Sequence, residues 1–361
     1  MEKASLIGNI KDQGRALRYC FENREEYLEL ARKVAKNNIK KIYVVGSGSS
    51  YHAAVVIKYY FQNLCNVETN YIMPNLFTYH ENANPNNELS NDQIMVIGIS
   101  QSGNSTTTLG SLRKSYEAGY VTIGVTEKLE SRMANSEYPI IHLLCGVEGV
   151  PPETRGYTVT EIMLYLFAVE LAYRSNKISE EKYSLLIKEA EDFVNNFDKF
   201  IEESILWFNR NKEEIFEAKN FGITGYGLNY GTAIEAQLKL YECTHLPSVG
   251  YEAEEFSHGH VFAYSKDNYL FTIGSKGKEL ERLPRMNNFY KDKVTKHVFL
   301  ITAEDVEVTG RELKFSQNYC DELLAIAYTV PFQIVASEVA DYLRLDTSYF
   351  EIVHNDWPAR D

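Results

Sequence analysis

The chain of 361 residues carries 37 Lys and Arg against 50 Asp and Glu, a formal net charge of −13. This balance argues against nucleic acid or an anionic membrane surface as a partner, because affinity for either rests on clustered basic side chains. With 44% hydrophobic and 13% aromatic residues the chain can bury a large core, and its length suits two α/β domains rather than a disordered or single small domain.

Residues 8–38 have the charged, periodic pattern of helix and show no chemistry. The N-terminus lacks the apolar core of a signal peptide, and no run reads as a membrane span. The five cysteines, Cys20, Cys65, Cys145, Cys243 and Cys320, are widely spaced and form no ligand motif. We read them as reduced and buried, in a cytoplasmic protein that holds no metal.

Lys41–Val45 reads as a strand, followed by the turn Gly46-Ser47-Gly48-Ser49-Ser50 and a helix from His52 to Leu64. The turn lacks the third glycine of a dinucleotide fingerprint, and Glu68 is a poor ribose-binding acid, so no nicotinamide or other cofactor is expected. Gln93–Ile99 is a second apolar, β-branched strand, and Thr106 to Gly119 has helical spacing. Between them lies Ser100-Gln101-Ser102-Gly103-Asn104-Ser105. Free N–H groups and the positive end of the helix dipole favour an anion there, phosphate above all. A helix cap needs one serine; this loop offers three, with an amide besides. Neutral donors also suit an acidic chain. The two turns are expected side by side at the carboxyl edge of one parallel sheet, where open α/β sheets bind ligands.

Strands follow at 121–126 and 140–143, then a Gly- and Pro-rich loop at 146–158 before an apolar helix, Val159 to Tyr173. Glu153, Thr154 and Arg155 either close over a ligand or form a structural turn. A charged helical connector begins after Ser175, and then the pattern starts again. Residues 219–242 superpose on 40–62 with Gly225 on Gly46, Gly227 on Gly48 and Tyr230 on Tyr51, an internal repeat of a whole domain. Strands at 269–274 and 297–302 match 94–99 and 121–126. The second copy has Gly274-Ser275-Lys276-Gly277 where the first has its serine loop, so only one phosphate cradle is expected. A last helix is read from Pro331 to Leu343.

On the helix around Ile234 to Thr244, Glu235, Lys239 and Glu242 fall at i, i+4 and i+7, on one face. Ile234, Leu238 and Tyr241 flank this stripe on one side, and Ala236, Leu240 and Cys243 on the other. Apolar walls point to a cleft; a solvated salt-bridge stripe is the plainer alternative. Partial burial beside apolar walls raises a carboxylate's pKa and lets one group act first as base and then as acid. Glu242 is the candidate.

A duplicated α/β unit with GSGSS and SQSGxS after its first two strands resembles the sugar isomerase (SIS) family over nearly the whole chain. In particular it is similar to the isomerase part of glucosamine-6-phosphate synthase and to the deglycases that split fructosamine 6-phosphates. The resemblance implies two flavodoxin-like domains, each a five-stranded parallel sheet flanked by helices. It implies a phosphosugar substrate whose phosphate is held by Gly48, Ser49, Ser50, Ser100, Gln101, Ser102 and Ser105. The family's EGALKLKE and GELKHGP-like segments correspond to Glu235–Glu242 and Glu255-Phe256-Ser257-His258-Gly259. This implies Glu242 as the proton-transfer residue, Lys239 as the family's lysine on the same helix, and His258 as the ring-opening histidine. Family members place that histidine in the partner subunit's site, implying a homodimer or higher homo-oligomer.

The organisation expected is a helical segment at 1–37, a phosphate-binding SIS domain at 38–180, a connector at 181–218, a catalytic SIS domain at 219–345 and a tail at 346–361. The synthase's amide-transfer domain is not expected, nor therefore glutamine hydrolysis. The synthase's tail carries an imine-forming lysine, whereas Glu351 to Asp361 contains none. A deglycase needs no such lysine, since its substrate already bears an amine. The expectation is an isomerase or deglycase acting on an amino-sugar or fructosamine 6-phosphate. A non-catalytic sugar-phosphate sensor and a nitrogen-free aldose–ketose isomerase are the alternatives.

Overall fold

The structure, a computed structural model, describes residues 5–348. The lysine-free stretch 351–361 lies outside the described residues, as do residues 1–4 and 349–350.

Two sheets are present, each with five parallel strands. The first contains β1 (Lys41–Val45), β2 (Glu68–Ile72), β3 (Ile94–Ile99), β4 (Val121–Thr126) and β5 (Ile140–His142), in the order β2-β1-β3-β4-β5. The second contains β6 (Phe221–Gly225), β7 (Ser248–Glu252), β8 (Tyr269–Gly274), β9 (His297–Thr302) and β10 (Glu312–Lys314), in the order β10-β9-β8-β6-β7. Counted within each repeat, both orders are 2-1-3-4-5, the flavodoxin-like winding. Every residue of the central strands β3 and β8 is buried, which is why both read as continuous apolar runs. The edge strands β2 and β7 carry polar and half-buried positions, and sequence pattern does not mark them.

The chain forms two compact units. One comprises residues 15–148 and 155–194, and the other residues 5–14, 149–154 and 195–348 among those described. In the first unit the helix Glu25–Val34 is tied to the long buried helix Arg155–Arg174 through Glu170. That carboxylate is fully buried and accepts from Arg32 Nε at 2.6 Å, Arg174 Nε at 2.8 Å and the Tyr183 hydroxyl at 2.7 Å. Burial opposes ionisation of Glu170, but these donors outweigh it and hold its pKa below the usual value.

Several element boundaries differ from expectation: the helix read from His52 begins at Ser49, and the stretch at 8–38 is broken into separate helices. The helix read from Val159 begins at Arg155, because Glu148 accepts from the Arg155 and Gly156 N–H groups at 3.0 and 3.2 Å and so supplies its N-terminal cap from a distance. The connector is one helix of 37 residues, Glu180–Phe216. A further correction concerns apolar length. The helices Asp321–Tyr328 and Val330–Tyr342 meet at Thr329, and together they are long and apolar enough to cross a membrane, with mean hydropathy 1.5. Of that window 94% is buried inside the protein, so its apolarity serves the core.

Candidate active site

In the first repeat, β1 and β3 are neighbours running in parallel, with Val45 beside Gly98, so the turns that leave them emerge at one edge. This is the topological switch point of the sheet. Gly48 (φ 57°) leads into the helix Ser49–Tyr60, whose first residues Ser49 and Ser50 are 6% and 8% exposed. Gly46 has no room for a side chain, since a Cβ there would lie 2.7 Å from the backbone of Ser50. The second turn leads into the helix Thr106–Glu117. Gly103 (φ 63°) lets it fold back against β4, and a Cβ there would meet Ser131 Oγ and Thr126 Oγ1.

Neither helix is capped by the side chain at its own start. Gly48 has none, and the Ser105 hydroxyl makes no capping bond, accepting instead from Thr108 Oγ1 at 3.1 Å. The N-cap residues Gly48 and Ser105 therefore supply no side-chain cap, and the two helix starts keep their preference for an anion. Ser100 and Ser102 hydroxyls lie 3.5 Å apart, with Ser100 buried and Ser102 exposed. Gln101 Nε2 donates to Glu148 Oε2 at 3.0 Å. Of the seven residues expected to bind phosphate, Gly48, Ser49 and Ser50 thus lie at the start of the helix that follows β1, and Ser100, Gln101, Ser102 and Ser105 lie in the loop that follows β3.

In the second repeat the helix is Asn229–Thr244. Lys239 is 1% exposed and Glu235 fully buried. Lys239 Nζ lies 2.7 Å from Glu242 Oε2 and 3.5 Å from Glu235 Oε1, and the Glu242 side chain is 24% exposed. Burial alone would depress the lysine's pKa. The carboxylates of Glu242 and Glu235, with Glu153 adding to the same field, outweigh it and raise the pKa above the ordinary value. Lys239 is therefore a permanently charged group flanked by two carboxylates, of which only Glu242 reaches solvent. Burial pushes the neighbouring Cys243 thiol up to about 12 against the pull of Lys239, so Cys243 stays protonated and is no nucleophile.

Of the loop candidates, Glu153 acts on Lys239, and Thr154 is fully buried. Both belong to the compact unit that holds the second repeat. Arg155 lies in the first turn of its helix, and its Nη2 donates to Val147 O at 2.7 Å. His258 ends the short helix Ala253–Ser257 with its side chain 67% exposed, 3.8 Å from Glu254. Among the described residues no group of three or more His, Cys, Asp or Glu side chains is arranged to hold a metal ion.

Residues 33–170 match the SIS domain family. The first repeat is a SIS domain. Its strand order recurs in the second repeat, and the fold is that of two tandem SIS domains. Glutamine–fructose-6-phosphate aminotransferase [isomerizing] from Caldanaerobacter subterraneus subsp. tengcongensis is 24% identical over 306 residues, 84% of this chain and 49% of the relative. The chain spans about half the length of the curated relatives it matches. A proposed phosphosugar isomerase from Clostridium difficile 630 superposes with a TM-score of 0.86 at 27% identity, covering 97% of this chain and 96% of that one. The C-terminal domain of glucosamine-fructose-6-phosphate aminotransferase from Francisella tularensis shares the fold with a TM-score of 0.85 at 21% identity, covering 96% and 98%.

Sequence reasoning missed Glu148 in this SIS domain. It is 6% exposed, receives the Gln101 amide, and caps the helix Arg155–Arg174. One carboxylate thereby fixes both the serine loop and the next helix. No local pattern marks it, because its partners lie 47 residues before it and seven and eight residues after it.

Proposed function

We propose that the protein is a phosphosugar isomerase or deglycase that acts on an amino-sugar or fructosamine 6-phosphate by proton transfer between C1 and C2. The observation that supports this best is the stripe Glu235–Lys239–Glu242, buried except at Glu242. A solvated salt-bridge stripe would not bury its lysine to 1% exposure. The hydroxyl-rich turns of the first repeat supply neutral donors for the phosphate.

In the reading we favour, Glu242 takes a proton from C1 of the ketosamine and water delivers one to O2, giving a 1,2-enolamine. Lys239, kept charged, stabilises the negative charge that develops on O2. Glu242 returns its proton to C2 while the nitrogen gives up its own, which leaves a C1=N imine. Water adds across the imine and the amine departs, yielding hexose 6-phosphate. His258 opens the sugar ring, and its exposure suits service in the site of a second subunit of a homodimer. Cysteines that are all free and mostly buried suit the cytoplasm.

The test is to incubate the protein in deuterated water with fructosamine 6-phosphates, with glucosamine 6-phosphate, and with fructose 6-phosphate plus ammonia. Amine release and deuterium entry at C1 or C2 are followed. Release from fructosamine 6-phosphates is expected. Binding of all these ligands without release or exchange would overturn the reading in favour of a sensor.

A further inference from the structure

A basic pocket lies in the first SIS domain between the helix Thr106–Glu117 and the β4–β5 connection. A cavity of about 210 Å³ is lined by Leu109, Arg113 and Tyr116 from the helix Thr106–Glu117, and by Arg132, Glu137 and Tyr138 from the β4–β5 connection. The three helical residues sit at i, i+4 and i+7, one face. Arg32, Arg174, Arg282 and Arg311 are all in ion pairs. Neither Arg113 nor Arg132 is in one among the described residues, and both are exposed. Two guanidinium groups against one carboxylate leave the pocket positive in a chain of net charge −13, where acidic partners are plentiful.

Arginine's planar fork matches phosphate and carboxylate oxygens in pairs. Tyr116 and Tyr138, with ring centroids 6.0 Å apart, add flat apolar wall. The volume falls below the roughly 300 Å³ at which pockets for drug-sized ligands begin, so the occupant is compact.

We propose that this pocket is a second anion site, which takes a compact phosphate-bearing metabolite through Arg113 and Arg132. The site would report to the serine loop, because both walls are attached to it. The Arg132 N–H donates to Asn104 Oδ1 at 3.1 Å and the Met133 N–H to Gly103 O at 2.9 Å. Asn104 in turn donates to Ser102 O at 3.0 Å, and the other wall is the helix that the loop begins. A ligand bridging Arg113 and Arg132 fixes both sides of the loop, and linkage makes any effect on affinity reciprocal.

The inference is independent of the catalytic reading and is tested without turnover. The full chain in low-salt, phosphate-free buffer is titrated with inorganic phosphate by calorimetry, alongside S100A/S102A and R113Q/R132Q. Two phosphates per chain are expected for the wild type. One is expected for R113Q/R132Q and one for S100A/S102A. Because both arginines are exposed, their replacement spares the core, and unchanged thermal unfolding verifies this. A wild type that binds no phosphate, or an R113Q/R132Q variant that binds as many as the wild type, overturns the proposal.

Discussion

The two repeats share one strand order and differ in what they place at the carboxyl edge of the sheet. Superposing β3 on β8 sets Ser100 on Ser275, Gln101 on Lys276 and Ser102 on Gly277. In the first repeat the buried carboxylate Glu148 is met by a neutral amide and two backbone N–H groups. In the second, Asp321 accepts from the Lys276 N–H, and the Lys276 ammonium turns to Tyr319 O at 3.2 Å. The hydroxyls went to one copy. The charged stripe went to the other, where the helix equivalent to Ser49–Tyr60 carries Glu235, Lys239 and Glu242. The lesson is that a duplicated fold can keep one winding while its copies diverge at the sheet edge, one copy holding neutral hydroxyl and amide donors and the other a buried ion cluster.

Glu242→Gln attacks this division hardest. Turnover should fall about a thousandfold, in the range of a lost general base, while inorganic phosphate binding at the serine loop stays within twofold of wild type. Steady-state rates on a fructosamine 6-phosphate beside phosphate calorimetry decide it, and an unchanged rate removes Glu242 from the mechanism. Lys239→Met comes next. It takes from the fully buried Glu235 the ammonium 3.5 Å away, and breaking a buried pair this way costs about 3 kcal/mol. Urea denaturation should report that loss. A double variant, K239M/E235L, should recover most of the stability without recovering turnover, which separates the fold's need for the pair from the chemistry's.

Ser102→Ala tests the other copy. Removing one hydroxyl from a charged ligand should raise KM roughly tenfold and leave kcat within twofold, the reverse of Glu242→Gln. A fall in kcat with unchanged KM would mean that the loop serves the reacting end of the substrate.

How far the amino-acid sequence reveals these features depends on where each signal resides. β3, β8 and the helix Asn229–Thr244 are legible because burial on both faces, or on one face, leaves a periodic apolar record along the chain. The edge strands β2 and β7 leave none, since half of each faces solvent. Lys239's burial and its grip on Glu242 follow from spacing along one helix. Glu148 is silent in sequence because it acts between segments that only the fold brings together. The paired Arg113 and Arg132 are silent for the same reason, coming from a helix and a connection with a strand between them.

The smallest effect expected comes from Asp321→Asn, which changes the carboxylate that accepts from the Lys276 N–H in the second repeat. Burial first, then the neighbouring carboxylate of Glu322, raises the Asp321 pKa to about 6 from an ordinary 3.8, against the pull of the Lys276 N–H. A carboxylic acid whose folded pKa is raised contributes its stability in full below the unfolded value, and loses it as pH rises through the folded one. The wild type should therefore weaken between pH 4 and pH 6 relative to Asp321→Asn, whose amide oxygen can still accept from Lys276. At pH 7.5 the variant should be more stable by about 1 kcal/mol, discounted for partial exposure, or about 2 °C in Tm. At pH 3.5 the two should coincide. Scanning calorimetry across this range decides it. A variant that gains nothing at pH 7.5 would mean that Asp321 is adequately paired when charged.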